Sequence, residues 1–265
     1  MGGMHDPTDA PAEIGTPPGD GTRPSADPTA AGAPRANAWG QPVGPALPDW
    51  TPRAAPARAV LQGRCCRLEP LDADRHAGPL QAAFAESPDD RDWTYLSNGP
   101  FPDAPAYRAW IAQATAAADQ QHFAILDASS GRALGSIALI RIDRTNGVAE
   151  VGFVTFSRRM QRTPAGTEAV ALLMRHVFDD LGYRRLEWKC DTLNAPSRAA
   201  ALRYGFRFEG IFRQAIVTKG RSRDTAWFAL TDGDWPAVRT ALARWLAPEN
   251  FDGAGRQRAR LQELR

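Results

Sequence analysis

The chain has 265 residues, of which 43% are hydrophobic, and a formal net charge of +2. This charge is too small to predict nucleic-acid binding by itself, and no apolar run is long enough to cross a membrane. The three cysteines and four histidines show no metal-ligand spacing, so we expect no metal and a reducing, cytoplasmic compartment.

The N-terminal segment predicts disorder. Residues 1–48 are rich in Pro, Gly, Ala, Asp and Thr and contain almost no large apolar residue. Such a composition cannot bury enough apolar surface to offset the entropy of ordering the chain. We therefore expect a disordered Pro/Gly/Ala-rich segment over 1–58, one domain over 59–247 and a polar, frayed tail over 248–265.

The first half of the domain predicts strands and two helices. A strand over 63–71 precedes a helix over 73–86, and a second helix begins at Asp103, a good N-cap residue. Aliphatic runs on both sides of a turn at 127–131 predict a hairpin, and Asn146-Gly147 leads into a further strand. Consecutive strands of this kind pair antiparallel.

The second half predicts a crossover and a closing hairpin. Pro164 to Leu181 has an apolar stripe at helical spacing, and 184–192 alternates as a strand does. Strand, helix, strand at this length predicts a parallel βαβ unit. A short helix over 194–204, a hairpin turning near Gly220 and a last helix complete an α+β fold with a mixed sheet.

The loop before Pro164 predicts an anion site. It contains Arg158, Arg159, Gln161 and Arg162, directly before the open end of a helix. First-turn amides and the helix dipole attract anions, and arginines strengthen that attraction. The alternative is an ordinary helix start with solvated arginines.

Two segments carry a family resemblance. "QRTPAGTEA" resembles the Gln/Arg-x-x-Gly-x-Gly/Ala segment with which GNAT N-acetyltransferases hold the pyrophosphate of CoA, although Pro164 replaces the first glycine. "NAPSRAAALRYGF" resembles the Asn-x-x-Ser…Gly-Phe segment of the RimJ/RimL-like branch, whose members acetylate ribosomal-protein N-termini. The resemblance covers about residues 60–236.

The resemblance implies the GNAT fold, which is a mixed, mostly antiparallel seven-stranded sheet with a central parallel βαβ crossover and helices on both faces. It implies acetyl-CoA as co-substrate, held by two groups of residues. The first group lies on the central strand and in the loop that follows it: Val154, Thr155, Phe156, Gln161, Arg162, Thr163, Ala165, Gly166 and Thr167. The second group lies at the start of the following helix: Asn194 and Ser197. Gly152 marks either a strand bulge or a close packing contact.

Acetyl transfer to an amine requires a base and a stabilised leaving thiolate. Glu150, beside the expected cleft, is the candidate base, and its alternative is a solvated or salt-bridged carboxylate. Asp191 is a weaker candidate. Ser197 is the candidate donor to the departing sulfur, and its alternative is a helix-capping role. Position 201, where many GNAT enzymes have a tyrosine acid, is Ala201, and Tyr204 is displaced by almost one turn.

The acceptor side is less clearly marked. Trp93, Tyr95 and Phe101 either wall an acceptor pocket or belong to the core. The charged hairpin residues 219–224 either border the acceptor or are solvated.

We expect an N-acetyltransferase that acts on a protein α-amine or a small-molecule amine, without nucleic-acid or membrane partners, as monomer or homodimer. The alternatives are a non-catalytic protein that binds or senses acyl-CoA, and an arginine-rich nucleic-acid binder, which the small net charge disfavours.

Overall fold

The computed structural model describes residues 35–265, so the disorder predicted for 1–34 lies outside the described range. These residues belong to a short unit that ends at Trp50 and a compact unit of Thr51–Arg265. In the short unit, β1 (Arg35–Ala36) and β2 (Pro42–Val43) pair antiparallel. Among the described residues, no helix is long and apolar enough to span a bilayer.

The compact unit alternates strands and helices in the predicted order. Its elements are β3 (Leu61–Gln62), β4 (Cys66–Pro70), α1 (Ala73–Phe84), α2 (Ala104–Ala116), β5 (Gln121–Asp127), β6 (Ala133–Asp143), β7 (Val148–Phe156), α3 (Pro164–Arg175), β8 (Arg185–Asp191), α4 (Ala195–Tyr204), β9 (Arg207–Thr218), β10 (Arg221–Thr231) and α5 (Trp235–Leu246). Side chains of Asp72, Asp103 and Asn194 cap α1, α2 and α4, because each accepts a hydrogen bond from a first-turn amide.

The sheet contains eight strands in the order β3-β4-β5-β6-β7-β8-β10-β9. Neighbours are antiparallel except β7 and β8, which are parallel, as the predicted βαβ unit requires. The predicted number of seven strands is one too few. The additional strand is β3, which has only two residues and pairs with β4 at the sheet edge, so no alternating pattern marks it.

Helices cover both faces of the sheet, but unequally. On the first face, α3, α4 and α5 pack over inward residues such as Val151, Leu186 and Trp188 to form the larger core. On the second face, α1 and α2 pack over Ala124 and Leu126 of β5. Trp110 of α2 reaches β7, where its ring lies 5.6 Å from that of Phe153. Much of the second face beyond this contact is left to the cleft described below.

The ends of the compact unit differ from the predicted 59–247 boundaries. Before residue 59, Tyr183 Oη donates to Ala54 O at 3.0 Å and Gln121 Nε2 donates to Ala57 O at 2.8 Å. At the C-terminus, Leu261 is buried in the larger core and the Arg265 guanidinium donates to Leu202 O at 3.1 Å. The expected frayed tail is therefore packed, because polar segments can be held by hydrogen bonds to exposed carbonyls as well as by apolar burial.

Candidate active site

Two parallel strands separate in the middle of the sheet. Pairing of β7 with β8 covers only Val148–Val151 against Arg185–Trp188. Beyond these residues β7 continues beside β6, and β8 continues beside β10. The backbone of residues 152–156 therefore has a strand neighbour on one side only, and its groups on the β8 side are available to a ligand.

A β-bulge coincides with the separation. Ser136 pairs with Thr155 and Ala138 pairs with Gly152, so two residues of β7, Phe153 and Val154, oppose one residue of β6. Phe153 has φ 48°, a left-handed conformation that a bulge imposes on a side-chain-bearing residue. Gly152 itself is a packing position, since an added Cβ would lie 2.5 Å from Ile140 Cδ1. The bulge begins at the residue after it.

A cleft of about 810 Å³ occupies the gap between the strands. Residues from both sheet faces line it, so we divide it in two. The first-face half is lined by Phe156, Gln161, Trp188, Cys190, Asn194, Ser197 and Tyr204. The second-face half is lined by Tyr95, Arg141, Glu150, Lys189, Phe212, Arg223 and Trp227.

The start of α4 positions Ser197 in the first-face half. Asn194 Oδ1 accepts from the Ser197 amide at 3.1 Å, so Asn194 is the helix cap. The Ser197 hydroxyl instead accepts from Trp188 Nε1 at 2.9 Å. The capping alternative for the Ser197 side chain is thus wrong, and its hydroxyl keeps a hydrogen to donate, with the Cys190 sulfur as one acceptor beside it.

Tyr204 lies one turn from the position expected for a tyrosine acid. Its Oη donates to Gly166 O at 3.4 Å, which ties α4 to the first turn of α3. Burial raises the pKa of this phenol, and burial likewise raises the pKa of the neighbouring Cys190 thiol. Both groups are therefore neutral packing and hydrogen-bonding elements of the cleft wall.

The arginine loop before α3 is only partly directed at the cleft. Arg158 Nε lies 3.3 Å from Asp92 Oδ2, and Arg159 pairs with Glu86. These arginines thus join the loop to the segment after α1. Gln161 lines the cleft, where its Nε2 donates to Phe156 O at 3.0 Å.

Arg162 differs from the other loop arginines. It is exposed, has φ 63°, and forms none of the described ion pairs. The chain conformation at this residue thus presents a guanidinium without a carboxylate partner among residues 35–265.

The first turn of α3 has no side-chain cap. Thr163 stands at the N-cap position, but its hydroxyl donates backwards to Met160 O at 2.7 Å. Ala165, Gly166 and Thr167 are buried, and Thr167 Oγ1 accepts from Arg203 at 3.0 Å. Ligand contacts predicted for these residues are therefore restricted to backbone groups, since none of their side chains lines the cleft.

The second-face half is centred on a buried acid and a buried lysine. The Glu150 and Lys189 side chains are only 7% and 5% exposed, and Lys189 Nζ lies 2.9 Å from Glu150 Oε2. Glu150 is therefore salt-bridged, and it also lines the cleft. Asp191 lines the cleft too, but its Oδ1 accepts from the Leu193 amide at 2.9 Å.

Aromatic residues and a hairpin enclose the second-face half. Trp227 of β10 stacks on Phe212 of β9 at a centroid separation of 4.5 Å. The hairpin tip contacts the segment after α1, because Lys219 Nζ donates to Trp93 O at 2.8 Å. Of the three aromatic residues expected near the acceptor, Tyr95 lines the cleft, whereas Trp93 and Phe101 belong to the smaller core.

Comparisons with known proteins agree with this geometry. The family model described as "Acetyltransferase (GNAT) domain" matches residues 66–207, which is more than half of the chain. The chain belongs to the GNAT acetyltransferase family.

A solved GCN5-related N-acetyltransferase from Brucella melitensis is 49% identical, with a TM-score of 0.80 over 82% of this chain and 99% of that one. A probable GNAT acetyltransferase from Chromobacterium violaceum is 42% identical, with a TM-score of 0.70 over 74% and 98% of the two chains. The "Putative ribosomal N-acetyltransferase YdaF" of Bacillus subtilis is 28% identical over 105 residues, 40% of this chain and 57% of its own length. Similarity to such a relative is consistent with the RimJ/RimL-like branch.

This GNAT protein is an acyltransferase, and enzymes of its family use acetyl-CoA. Features that suit such a ligand are the one-sided backbone of β7 in the cleft and, outside the cleft lining, the uncapped start of α3 and the exposed Arg162. Among residues 35–265, no group of three or more His, Cys, Asp or Glu side chains is placed to hold a metal ion.

Sequence reasoning missed several residues of the GNAT cleft. Lys189, Trp227, Phe212 and Arg141 all line it, yet none belongs to a motif. One signal existed for Lys189: it shares the polar face of the alternating strand β8 with Glu187, and parallel pairing places that face beside Glu150. Trp227 and Phe212 lie in segments whose sequence pattern predicts a hairpin but no ligand contact.

Proposed function

We propose that this GNAT protein transfers an acetyl group from acetyl-CoA to a primary amine by direct attack in a ternary complex. The main support is the separation of β7 and β8, which creates one cleft lined from both faces of the sheet. Glu150 lies on the second face and Ser197 contacts Trp188 on the first. Two substrates entering from opposite faces would meet between these side chains.

Acetyl-CoA would supply the acetyl group as a thioester. The residues proposed to hold it are the backbone of Val154–Phe156, Gln161 and Arg162 in the loop, the first-turn amides of α3, and Asn194. The one-sided pairing of β7 and the uncapped start of α3 leave backbone donors for the amides and phosphates of such a ligand. Pro164 itself offers no amide hydrogen, which makes Arg162 the natural substitute donor.

Three groups of the protein would then act on the reacting atoms. Glu150 takes the proton of the acceptor ammonium, directly or through a water. A backbone amide of the bulged strand donates to the oxygen that becomes negative. The Ser197 hydroxyl, which accepts from Trp188 and still has a hydrogen to give, donates to the departing sulfur.

For the acceptor, we propose the α-amine of a protein or peptide, with a small-molecule amine as the alternative. The support for the first class is the similarity to a relative described as a putative ribosomal N-acetyltransferase. The second-face half is bounded by aromatic and aliphatic side chains such as Tyr95, Phe212 and Ile216, which suit the first residues of a polypeptide.

The test has two steps. First, acetyl-CoA at about 100 times its Kd should stabilise the fold by roughly 2.7 kcal/mol, measured as a rise in Tm. Second, thiol release is measured with peptides bearing a free α-amine, the same peptides with that amine blocked, polyamines and aminoglycosides. Intersecting initial-rate lines support the ternary complex, whereas parallel lines would point to an acetylated enzyme. Binding without thiol release for any amine would leave the non-catalytic acyl-CoA-binding alternative.

We further propose a cytoplasmic location and a monomer or homodimer. The support for the compartment is that Cys65, Cys66 and Cys190 are all unpaired. Cell fractionation tests the first statement, and light scattering after size exclusion tests the second; a periplasmic or trimeric protein would contradict them.

A further inference from the structure

Lys189 is an unusual residue for the middle of a sheet. Its side chain is 5% exposed, and its Nζ lies 2.6 Å from Glu187 Oε2 and 2.9 Å from Glu150 Oε2. The same ammonium lies 3.6 Å from the centroid of the Trp227 ring. Lysine is rarely buried unless it is paired, because removing its charge from water is expensive. Its position is thus held by two carboxylates and an aromatic face.

The two carboxylates around Lys189 are not equivalent. Glu187 uses both oxygens, since Oε1 accepts from Arg185 Nε at 2.8 Å and Oε2 faces Lys189. Burial acts to raise the pKa of Glu187, but bonds from Lys189 and Arg185 outweigh it and lower the pKa. Arg185 also forms a two-pronged pair with Glu209. Glu187 is therefore ionised with both oxygens engaged, and it holds Lys189 in place.

Glu150 is at the cleft end of the same row of charges. Its Oε2 is buried and accepts no well-formed hydrogen bond from the described residues, although Lys189 Nζ is close enough for an ion pair. Arg141 Nε is farther away, at 3.5 Å, and its side chain is 55% exposed, so solvent screens it. Glu150 Oε2 thus has an acceptor position left, whereas both oxygens of Glu187 are engaged.

The remaining charged or titratable groups around this half of the cleft come from every neighbouring element. They are Asp92 and Tyr95 after α1, Asp119 before β5, Arg141 on β6, Glu187 and Asp191 on β8, and Arg223 on β10. Of the described cationic groups, only Lys189 and Arg141 lie within ion-pair distance of Glu150. Lys189 is therefore the dominant positive charge acting on this carboxylate.

We propose that Lys189 is a positioning residue that keeps the Glu150 carboxylate ionised and aimed into the cleft, and that Glu187 holds Lys189 for this purpose. The inference rests on the proposed function, in which Glu150 accepts the proton of the acceptor. A carboxyl group buried alone favours its neutral form, and a cation within about 4 Å favours the charged form. Only the charged form can accept a proton, so Lys189 extends the active range of the base to lower pH.

The test compares pH profiles of kcat/KM for Lys189→Met, Lys189→Arg and Glu187→Gln. Without the ammonium, Glu150 stays protonated to higher pH, so the acid limb of Lys189→Met moves upward. We expect a loss of roughly tenfold or more at pH 6 and recovery to within about threefold at pH 9. Lys189→Arg keeps the charge and should follow the wild type more closely. Glu187→Gln keeps an amide oxygen that can still hold Lys189 but removes the competing negative charge, so the acid limb should move downward.

A second readout does not depend on activity. The carboxyl carbons of ¹³C-glutamate-labelled protein are titrated by NMR, and the Glu150 signal is identified by its absence in Glu150→Gln. Its titration midpoint should rise in Lys189→Met and fall in Glu187→Gln. Should Lys189→Met not fold, the fall of the Glu150 midpoint in Glu187→Gln, set against a nearly unmoved midpoint in Lys189→Arg, carries the test.

The outcomes separate the role proposed for Lys189 from the proposed acetyl transfer. An unmoved Glu150 titration in folded variants, or an equal loss of kcat/KM at every pH, would overturn the role of Lys189. A moved titration in a protein that releases no thiol with any amine would overturn the proposed acetyl transfer and, with it, the catalytic purpose of the pair. Coincident shifts of the NMR midpoint and the acid limb support both.

Discussion

The two halves of the cleft present different chemical groups to a ligand. The first-face half is lined by side chains of β7, the loop before α3, β8 and α4, and the ligand contacts proposed there are mostly backbone groups of β7 and of the nearby start of α3. The second-face half consists of side chains from six separate parts of the chain: the segment after α1, the turn before β5, strands β6, β7 and β8, and the closing hairpin. Backbone groups occupy their places whatever the side chains are, whereas a charged row such as Glu150–Lys189–Glu187 depends on each member.

Contacts made by backbone groups follow from the fold, whereas contacts made by side chains are particular to this sequence. A ligand held mostly by strand and helix backbone needs the splay and the bulge, and these follow from topology. An acceptor is recognised by side chains, so its identity can change without disturbing the first-face half. Substitutions on the second face should therefore alter turnover and acceptor choice, while substitutions on the first face, other than at Ser197 beside the departing sulfur, should mainly alter the affinity for acetyl-CoA.

The largest effect is expected from Glu150→Gln. The amide keeps the shape of the side chain but cannot accept the proton, so kcat/KM should fall by about 10² to 10⁴-fold. Acetyl-CoA affinity, measured by calorimetry, should change by less than about threefold, because Glu150 lies in the other half. Asp191→Asn is the matched control, since Asp191 lines the same cleft but bonds a neighbouring amide. Equal losses of kcat/KM in both variants would show that Glu150 is not the base.

A smaller but still kinetic effect is expected from Ser197→Ala. A hydrogen bond that strengthens as charge develops on sulfur should show in kcat, by roughly 10 to 100-fold, more than in KM. The variant also leaves Trp188 Nε1 without its partner, which costs about 1–3 kcal/mol of stability. Trp188→Phe removes the indole donor and keeps the hydroxyl, so it should lose much less of kcat. Wild-type kcat in folded Ser197→Ala would reduce Ser197 to a structural partner of Trp188.

The sequence was sufficient for the first-face half because its parts are contiguous. Residues 148–204 run through β7, the loop, α3, β8 and α4, and local patterns there predict the elements, the parallel pairing and the Asn194 cap. What local patterns could not show is where the side chains of the loop point. Arg158 and Arg159 are drawn away by Asp92 and Glu86, residues about 70 positions earlier in the chain.

The second-face half could not be predicted in the same way. Lys189 meets Trp227 only because β10 returns beside β8 in antiparallel register, and Tyr95 reaches the cleft because the hairpin tip binds its segment. Such contacts depend on long-range packing rather than on spacing in the sequence. The same holds for β3 and the packed C-terminus, whose short or polar segments show no periodicity.

A moderate effect confined to binding is expected from Arg162→Ala. An exposed guanidinium that meets a phosphate should contribute about tenfold in affinity, less than a buried pair would. Calorimetry with acetyl-CoA and with acetylated pantetheine, which lacks the pyrophosphate, separates the possible causes. Loss of affinity for the first ligand alone supports a phosphate contact, whereas equal loss for both would show that the positive-φ loop has simply rearranged.

The smallest effect is expected from Arg158→Ala, which serves as the control for Arg162. Arg158 is already paired with Asp92 at 3.3 Å and both side chains are partly exposed, so the pair should contribute only about 0.2–1 kcal/mol to the free energy of unfolding. Acetyl-CoA affinity should stay within about threefold of the wild type, because the guanidinium is not available to the ligand. A loss as large as that of Arg162→Ala would mean that Arg158 leaves Asp92 when acetyl-CoA binds. In that event the segment after α1, which also holds the hairpin tip through Trp93, would connect the two halves, and their independence would have to be given up.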